Sequence, residues 1–317
     1  MKKDFNSSDS SLGAILGLCI PIALAFLAVI IATIAGANTE GSVFLVIVNI
    51  ITELSFLLAV FLICRKYQSD FSLATTASTK PKTKFVGLAV LLGVVCLFLL
   101  NPIISLWESL LSSIGYQISS ELSFGLNNAG LIIFAILSVA LLPAVCEEFL
   151  FRGTVLNGLR SFGARACILY SALIFGLMHQ NLQQLPYTFI LGIVSGILLF
   201  YTRSIWPSVI FHFTNNALVI LLMAFPNIAD AVFAWWLATE NLNLALLWQI
   251  IIALLCVVLA CLIIYFVIKS LKQNFDSTQP LAEENVGSIW HSKYLIIPIC
   301  VGVMFLLIST IPKFGVI

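Results

Sequence analysis

The sequence predicts an all-α fold, a polytopic bundle of about eight to nine transmembrane helices in one integral membrane domain over residues 1–317. Hydrophobic residues make up 61% of the 317 residues, charged residues make up only 9%, and the mean hydropathy is +1.11. A soluble domain carries roughly a quarter charged residues. This chain therefore has too few charged side chains to cover a water-exposed surface, and the lipid bilayer is its expected partner.

Apolar runs long enough to cross a bilayer follow one another along the chain. A hydrocarbon core about 30 Å thick takes about 20 helical residues to cross, and lipid offers no partners to backbone polar groups, so each run should be helical. The first run exceeds the length of a signal-peptide core and is interpreted as an uncleaved span. The candidate spans are Leu12–Gly36, Ser42–Cys64, Phe85–Trp107, a fourth from about Gly130, Ala164–His179, Leu185–Tyr201, Trp206–Phe225, Ala245–Ile268 and Tyr294–Ile311.

The basic residues indicate an orientation. If the N-terminus is cytoplasmic, every one of the 15 Lys and Arg residues except Lys313 falls on the cytoplasmic side of these spans, as the positive-inside rule requires. The opposite connections carry only acidic charges: Glu40, Glu108, Glu121, Asp230 and Glu240. Because the basic residues are scattered rather than gathered on one face, nothing indicates a nucleic-acid partner.

A few ionisable side chains interrupt the apolar runs, where such groups are costly and usually functional. Glu148 and Arg152 have the i,i+4 spacing of a helical ion pair, while Glu147 is rotated from Glu148 by about 100°. His212 and Asn216 lie one turn apart on the same helix face. The full set is Glu53, Glu147, Glu148, Arg152, His179 and His212, with Asn101, Asn215 and Asn216 adding uncharged polarity.

A hairpin can bring these groups together. Gly163 lies midway between Glu147 and His179 in the sequence, and glycine commonly ends helices. We expect the fourth and fifth spans to turn at Gly163 and to place Glu147 and His179 at equal depth. His212 follows soon after a turn at Ser204–Pro207, so the site should lie in the cytoplasmic half of the membrane.

Two further features concern the local packing of these helices. Pro143 lies one turn before Glu147, and we expect it to loosen the helix and to free a backbone carbonyl. Gly192 and Gly196 form a GxxxG pattern, which predicts close packing of the sixth span against a neighbouring helix.

The order and spacing of these residues resemble the signature motifs of a known family. Glu147-Glu148-x-x-x-Arg152, Phe175-x-x-x-His179 and His212-x-x-x-Asn216 are similar to the three motifs of the CAAX-protease and bacteriocin-processing family. That family is also called the Abi family, and it includes the Ras-converting type of CAAX prenyl endopeptidase. The resemblance covers about residues 129–220, which we interpret as the catalytic core.

The resemblance implies an intramembrane endopeptidase that cleaves a membrane-associated or lipid-modified protein or peptide, prenylated if the host prenylates proteins. Glu147 corresponds to the residue that activates the attacking water. The other implied catalytic residues are His179, which lies beside Glu147, and His212 and Asn216, which lie across the scissile carbonyl. The supporting positions are Glu148, Arg152 and Phe175.

The resemblance leaves the cofactor open. With a divalent metal such as zinc, Glu147, His179 and His212 would supply three ligands and leave a position for water, and Glu148 would remain as the base. Without a metal, Glu147 itself would be the general base. The sequence contains no H-E-x-x-H motif, which slightly favours the metal-free mechanism.

Two other classes of membrane protein were considered. Glu and His inside spans also form proton relays, but a proton-coupled transporter predicts discontinuous helices or inverted repeats, and neither is evident in the sequence. A non-catalytic immunity or receptor protein would not require all of the motif residues. An endopeptidase is the favoured interpretation.

Overall fold

The computed structural model describes residues 7–39, 41–67, 80–118, 125–242, 244–272 and 293–314. The regular structure in these ranges is helical, as the apolar runs predict. The helices are α1 (Ser7–Ile34), α2 (Ser42–Tyr67), α3 (Thr83–Ser113), α4 (Ala129–Leu159), α5 (Ala164–Met178), α6 (Leu185–Thr202), α7 (Trp206–Ala224), α8 (Pro226–Leu237), α9 (Ala245–Lys272) and α10 (Lys293–Thr310).

Eight helices in the described ranges are long and apolar enough to cross a membrane. This confirms the polytopic all-α bundle. The fifth predicted span corresponds to α5, which has 15 residues and covers only about 22 Å at 1.5 Å per residue. The short helix α8 was not predicted. A single non-helical residue, Phe225, separates it from the end of α7.

Two apolar clusters hold the helices together. The first joins α1, α2, α4, α5 and α10 through residues such as Leu18, Phe56 and Ile174. The second joins α3, α6, α7 and α9 through residues such as Cys96 and Phe211. Large hydrophobic side chains on the outside of the bundle remain exposed, as is expected where lipid replaces water. Helices α6 and α7 contribute to both clusters, through Leu199 and Val209 in the first and Leu198 and Phe211 in the second, and so join the two parts of the bundle.

Helix α4 is irregular around the predicted motif. It is α-helical over Ala129–Ala135 and π-helical over Ile136–Leu141, α-helical again over Leu142–Glu148, and π-helical over Phe149–Leu156. Pro143 stands at the start of the second α-helical part, where its missing N–H cannot serve the carbonyl of residue 139. The expected loosening before Glu147 is therefore present as a π-helical segment.

The predicted hairpin is confirmed. After a 3-10 segment at Asn157–Phe162, Gly163 takes a positive φ of 84° and α5 begins at the next residue. The Sγ of Cys167 donates to the carbonyl of Leu159, and the rings of Phe151 and Phe175 are 5.3 Å apart. Each of these pairs is centred in sequence on Gly163, so the two arms are antiparallel and in the expected register.

The close packing predicted from the GxxxG pattern is also confirmed. A Cβ atom on Gly192 of α6 would lie 2.8 Å from the Cα of Ala172 on α5, and one on Gly196 would lie 3.1 Å from Ile168. Real Cβ atoms do not approach backbone this closely, so glycine is required at Gly192. The α5–α6 contact in turn brings the carbonyl of Gly192 next to α4.

The orientation in the membrane stays a prediction. Several of the residues that support it lie outside the described residues: Lys2, Lys3, Glu40 and Glu121. The assignment of Arg152 to a cytoplasmic connection is wrong, because the structure places this residue in α4 and buries it completely. The i,i+4 pairing with Glu148, not a solvated loop, explains its position.

Candidate active site

Two adjacent carboxylates lie at the centre of the bundle, between the two π-helical parts of α4. Glu147 and Glu148 are 5% and 0% exposed. Because consecutive residues point about 100° apart on a helix, the two carboxylates meet different neighbours. The two carboxylates can therefore have different roles.

Glu148 orients the imidazole of His212. Its Oε1 lies 3.1 Å from His212 Nδ1 and also accepts a hydrogen bond of 3.3 Å from the hydroxyl of Ser195. When one ring nitrogen of a histidine is held by a carboxylate, the other is left for chemistry. That other nitrogen, His212 Nε2, lies 3.8 Å from Oε2 of Glu147.

Arg152 balances the charge of Glu148 on the other side. Its Nε lies 3.2 Å from Glu148 Oε2, which is an ion-pair distance, although the two atoms are not aligned as a hydrogen bond. The Nη2 of Arg152 donates to the carbonyl of Gly192 at 3.0 Å. The predicted Glu148–Arg152 pair is thus present, and it links α4 to α6.

Phe175 lies at the junction of these groups. Its ring centroid is 4.5 Å from the Arg152 guanidinium carbon, 5.8 Å from the His212 ring and 5.0 Å from the His179 ring. A guanidinium over an aromatic face gains a cation–π attraction. Phe175 therefore packs the charged groups of α4 and α7 against α5.

His179 ends α5, and its ring is anchored to its own helix. Nδ1 of His179 lies 2.9 Å from the carbonyl of Phe175, an acceptor only, so Nδ1 carries the hydrogen and Nε2 is the free nitrogen. The sequence places His179 at the end of the span Ala164–His179, and the structure agrees, since the helix ends at Met178 and His179 caps it.

Asn216 contacts the loosened part of α4. Its Nδ2 lies 3.4 Å from the carbonyl of Val139, which is the carbonyl that Pro143, lacking an N–H, cannot satisfy. Proline and asparagine are therefore two parts of one local arrangement. Asn216 lies one turn beyond His212 on α7, as predicted.

A set of contacts that was not predicted holds the chain after His179. Trp107 Nε1 donates to the carbonyl of Leu182 at 3.1 Å, and Gln183 Nε2 donates to Glu108 at 2.8 Å. The hydroxyl of Ser309 donates to the carbonyl of Gln180, whose φ of 50° is left-handed. These partners come from α3 and α10, far away in sequence, so no local pattern could reveal them.

The described residues include no group of three or more His, Cys, Asp or Glu side chains arranged to hold a metal ion. As they stand, Glu147, His179 and His212 therefore do not fit the three-ligand zinc site considered from the sequence. Glu148, the base in that alternative, is engaged by Arg152 and His212.

Comparison with known families identifies this part of the chain. Residues 129–218 match the family model described as "Type II CAAX prenyl endopeptidase Rce1-like". This segment is therefore similar to a CAAX prenyl endopeptidase domain. It contains all three motifs and nearly coincides with the catalytic core predicted over 129–220. No curated protein and no solved structure matches the chain.

The match indicates the general class of the protein. Together with eight apolar helices, it supports an intramembrane endopeptidase of the CAAX type, which is a class of protease. The family's description names an endopeptidase but does not assign roles to the residues of this chain.

The buried pair between Glu148 and Arg152 leads to a stability prediction. We expect Glu148→Leu alone to lower the free energy of unfolding by about 3–5 kcal/mol, because Arg152 is left as an uncompensated buried charge. The double variant Glu148→Leu with Arg152→Met should recover at least about 2 kcal/mol of that loss. Thermal unfolding in detergent, treated as a double-mutant cycle, measures this coupling; additive losses would contradict it.

Proposed function

We propose that the protein hydrolyses a peptide bond of a membrane-associated protein or peptide with a water molecule activated by Glu147. One observation carries this proposal: Oε2 of Glu147 is buried and has no hydrogen-bond partner among the described residues, while it faces Nε2 of His212 at 3.8 Å. An unsatisfied carboxylate oxygen is costly in an apolar bundle. It is also a ready proton acceptor for a water molecule.

The proposed reaction begins at Glu147. Its carboxylate takes a proton from water as the water oxygen bonds to the scissile carbonyl carbon, and the carbonyl electron pair moves onto the oxygen. The C–N bond then breaks as the carbonyl re-forms, and Glu147 passes its proton to the leaving amine. The free nitrogen of His179 helps to orient the water.

The oxyanion of the tetrahedral intermediate needs hydrogen-bond donors to stabilise its charge. We assign this role to the Nδ2 group of Asn216 and to Nε2 of His212, which donates in the protonated form of the ring. The support is that Glu148 holds the opposite nitrogen of His212 and that Asn216 is one turn away on the same helix. Both donors then face the substrate from α7, while Glu147 acts from α4.

The substrate we propose is a peptide brought to the membrane by a lipid or by its own apolar segment. The matching family is described as a CAAX prenyl endopeptidase, and a prenyl group would hold a C-terminal peptide at a membrane-embedded site. We further propose that the N-terminus is cytoplasmic and that the site opens towards the cytoplasmic half, on the basis of the positive-inside distribution.

Glu147→Ala should abolish cleavage. The probe is an internally quenched peptide ending in a farnesylated Cys-aliphatic-aliphatic-X tail. The same peptide without the farnesyl group is assayed in parallel, and both are incubated with the purified full chain. Loss of the general base is expected to lower kcat at least about 10²–10⁴-fold. Asp230→Asn, at an exposed position on α8, should leave kcat unchanged. Preserved cleavage in Glu147→Ala would refute the proposed role.

Removal of metals should leave the activity intact. Because the described histidines and carboxylates are not arranged as a metal site, we expect cleavage by the wild-type protein to persist after dialysis against EDTA and 1,10-phenanthroline. Elemental analysis of the active protein should find zinc far below one ion per chain. Stoichiometric zinc that is lost together with activity, and restored with it, would require the metal-dependent alternative.

A further inference from the structure

A third buried carboxylate lies outside the matched segment. Glu53, in the middle of α2, is 7% exposed, and its Oε2 has no hydrogen-bond partner among the described residues. Burying an unpartnered carboxyl group inside a membrane bundle is costly, and such residues usually serve a function. Nothing in the reaction described above uses it.

Two contacts of α2 show which way Glu53 faces. Asn49, four residues earlier, donates through Nδ2 to the carbonyl of Ser138 at 3.4 Å. Phe56, three residues later, places its ring 6.5 Å from that of Phe151. Residues at i−4, i and i+3 share one helix face. Glu53 therefore faces α4, between the levels of Ser138 and Phe151, where Cys146 and Glu147 lie.

Electrostatics give the same placement. The carboxyl group of Glu53 acts electrostatically on both Glu147 and Cys146. The carboxyl group of Glu53 is thus a close neighbour of the proposed base, contributed by a helix that the family match does not cover.

Two buried carboxyl groups in such proximity do not both ionise, since like charges in a poorly solvated site repel strongly. Glu147 must be ionised to act as the proposed base. The single proton of the pair is therefore assigned to Glu53.

We propose that Glu53 is a positioning residue for Glu147: its carboxyl group keeps one proton and directs it as a hydrogen-bond donor towards the Glu147 carboxylate. This inference rests on the proposed function. The proton on Glu53 is not transferred, so the water, the scissile bond and the leaving amine exchange atoms and protons as described above. What Glu53 contributes is an ionised and correctly oriented base.

The test compares a variant that can donate with variants that cannot. Glu53→Gln keeps a donor of nearly the same shape and should retain kcat within about threefold. Glu53→Leu and Glu53→Met fill the space without a donor and should lower kcat about 10–100-fold, the value of one charge-assisted hydrogen bond. KM for the farnesylated quenched peptide should change by less than about twofold, because Glu53 does not touch the substrate.

The control for a merely structural effect is Thr52→Val. Thr52 is next to Glu53 on α2, but its hydroxyl bonds only to the carbonyl of Val48 in the same helix, at 2.9 Å. This variant should keep the wild-type kcat. All variants are compared at equal folded fraction, measured by thermal unfolding and by size-exclusion profile, and two apolar variants are used in case one does not fold.

The outcomes separate this inference from the function on which it rests. If Glu147→Ala is inactive but the apolar Glu53 variants keep the wild-type kcat, the positioning role alone is wrong. Equal losses in Glu53→Gln and Glu53→Leu would also overturn it, because a proton donor would then not be what matters. If Glu147→Ala remains active, both the proposed function and this inference fail.

Discussion

The contact between Glu148 and its two partners is the constraint on which the rest of the site depends. A carboxylate that is fully buried in a membrane bundle must be compensated, and Glu148 is compensated by Arg152 from its own helix and by His212 from α7. Its neighbour Ser195 comes from α6. Three helices must therefore pack in one arrangement. In that arrangement the free nitrogen of His212 is turned towards Glu147.

The arrangement of the site also depends on the irregular backbone of α4. A regular α-helix through Pro143 would leave the carbonyl of Val139 without an N–H partner. Here a π-helical segment precedes the proline, and Asn216 reaches that carbonyl while Asn49 reaches the carbonyl of Ser138. π-helical segments often accompany functional sites. In this protein, the π-helical turn leaves backbone carbonyls just before the two carboxylates, and asparagine side chains of neighbouring helices donate hydrogen bonds to them.

Much of this arrangement follows from local patterns in the sequence. Apolar runs predicted the spans, Gly163 predicted the hairpin, Gly192 predicted close packing, and the i,i+4 spacing predicted the Glu148–Arg152 pair. Each depends on residues close in sequence or on the lack of a side chain in glycine. The motif residues were also found from the sequence, since ionisable groups are rare in apolar helices.

The remaining features depend on how distant helices are rotated against one another, which periodicity does not specify. The partnership of Glu148 with His212 was not foreseen, since the sequence indicated only the pairing of Glu148 with Arg152. The contact of Trp107 with the chain after His179 and the approach of Glu53 to Glu147 arise in the same way. The short helix α8 (Pro226–Leu237) was also missed, because apolar composition alone does not mark where one helix ends and the next begins.

The central claim is that this buried cluster hydrolyses peptide bonds in the membrane by means of Glu147. The most direct measurement compares the protein termini in host membranes that contain the wild-type chain with those that contain Glu147→Ala at equal abundance, by quantitative mass spectrometry. The account predicts new C-termini on membrane-associated proteins that appear only with the wild-type chain. Identical terminal peptides in both membranes, with both proteins folded, would contradict it.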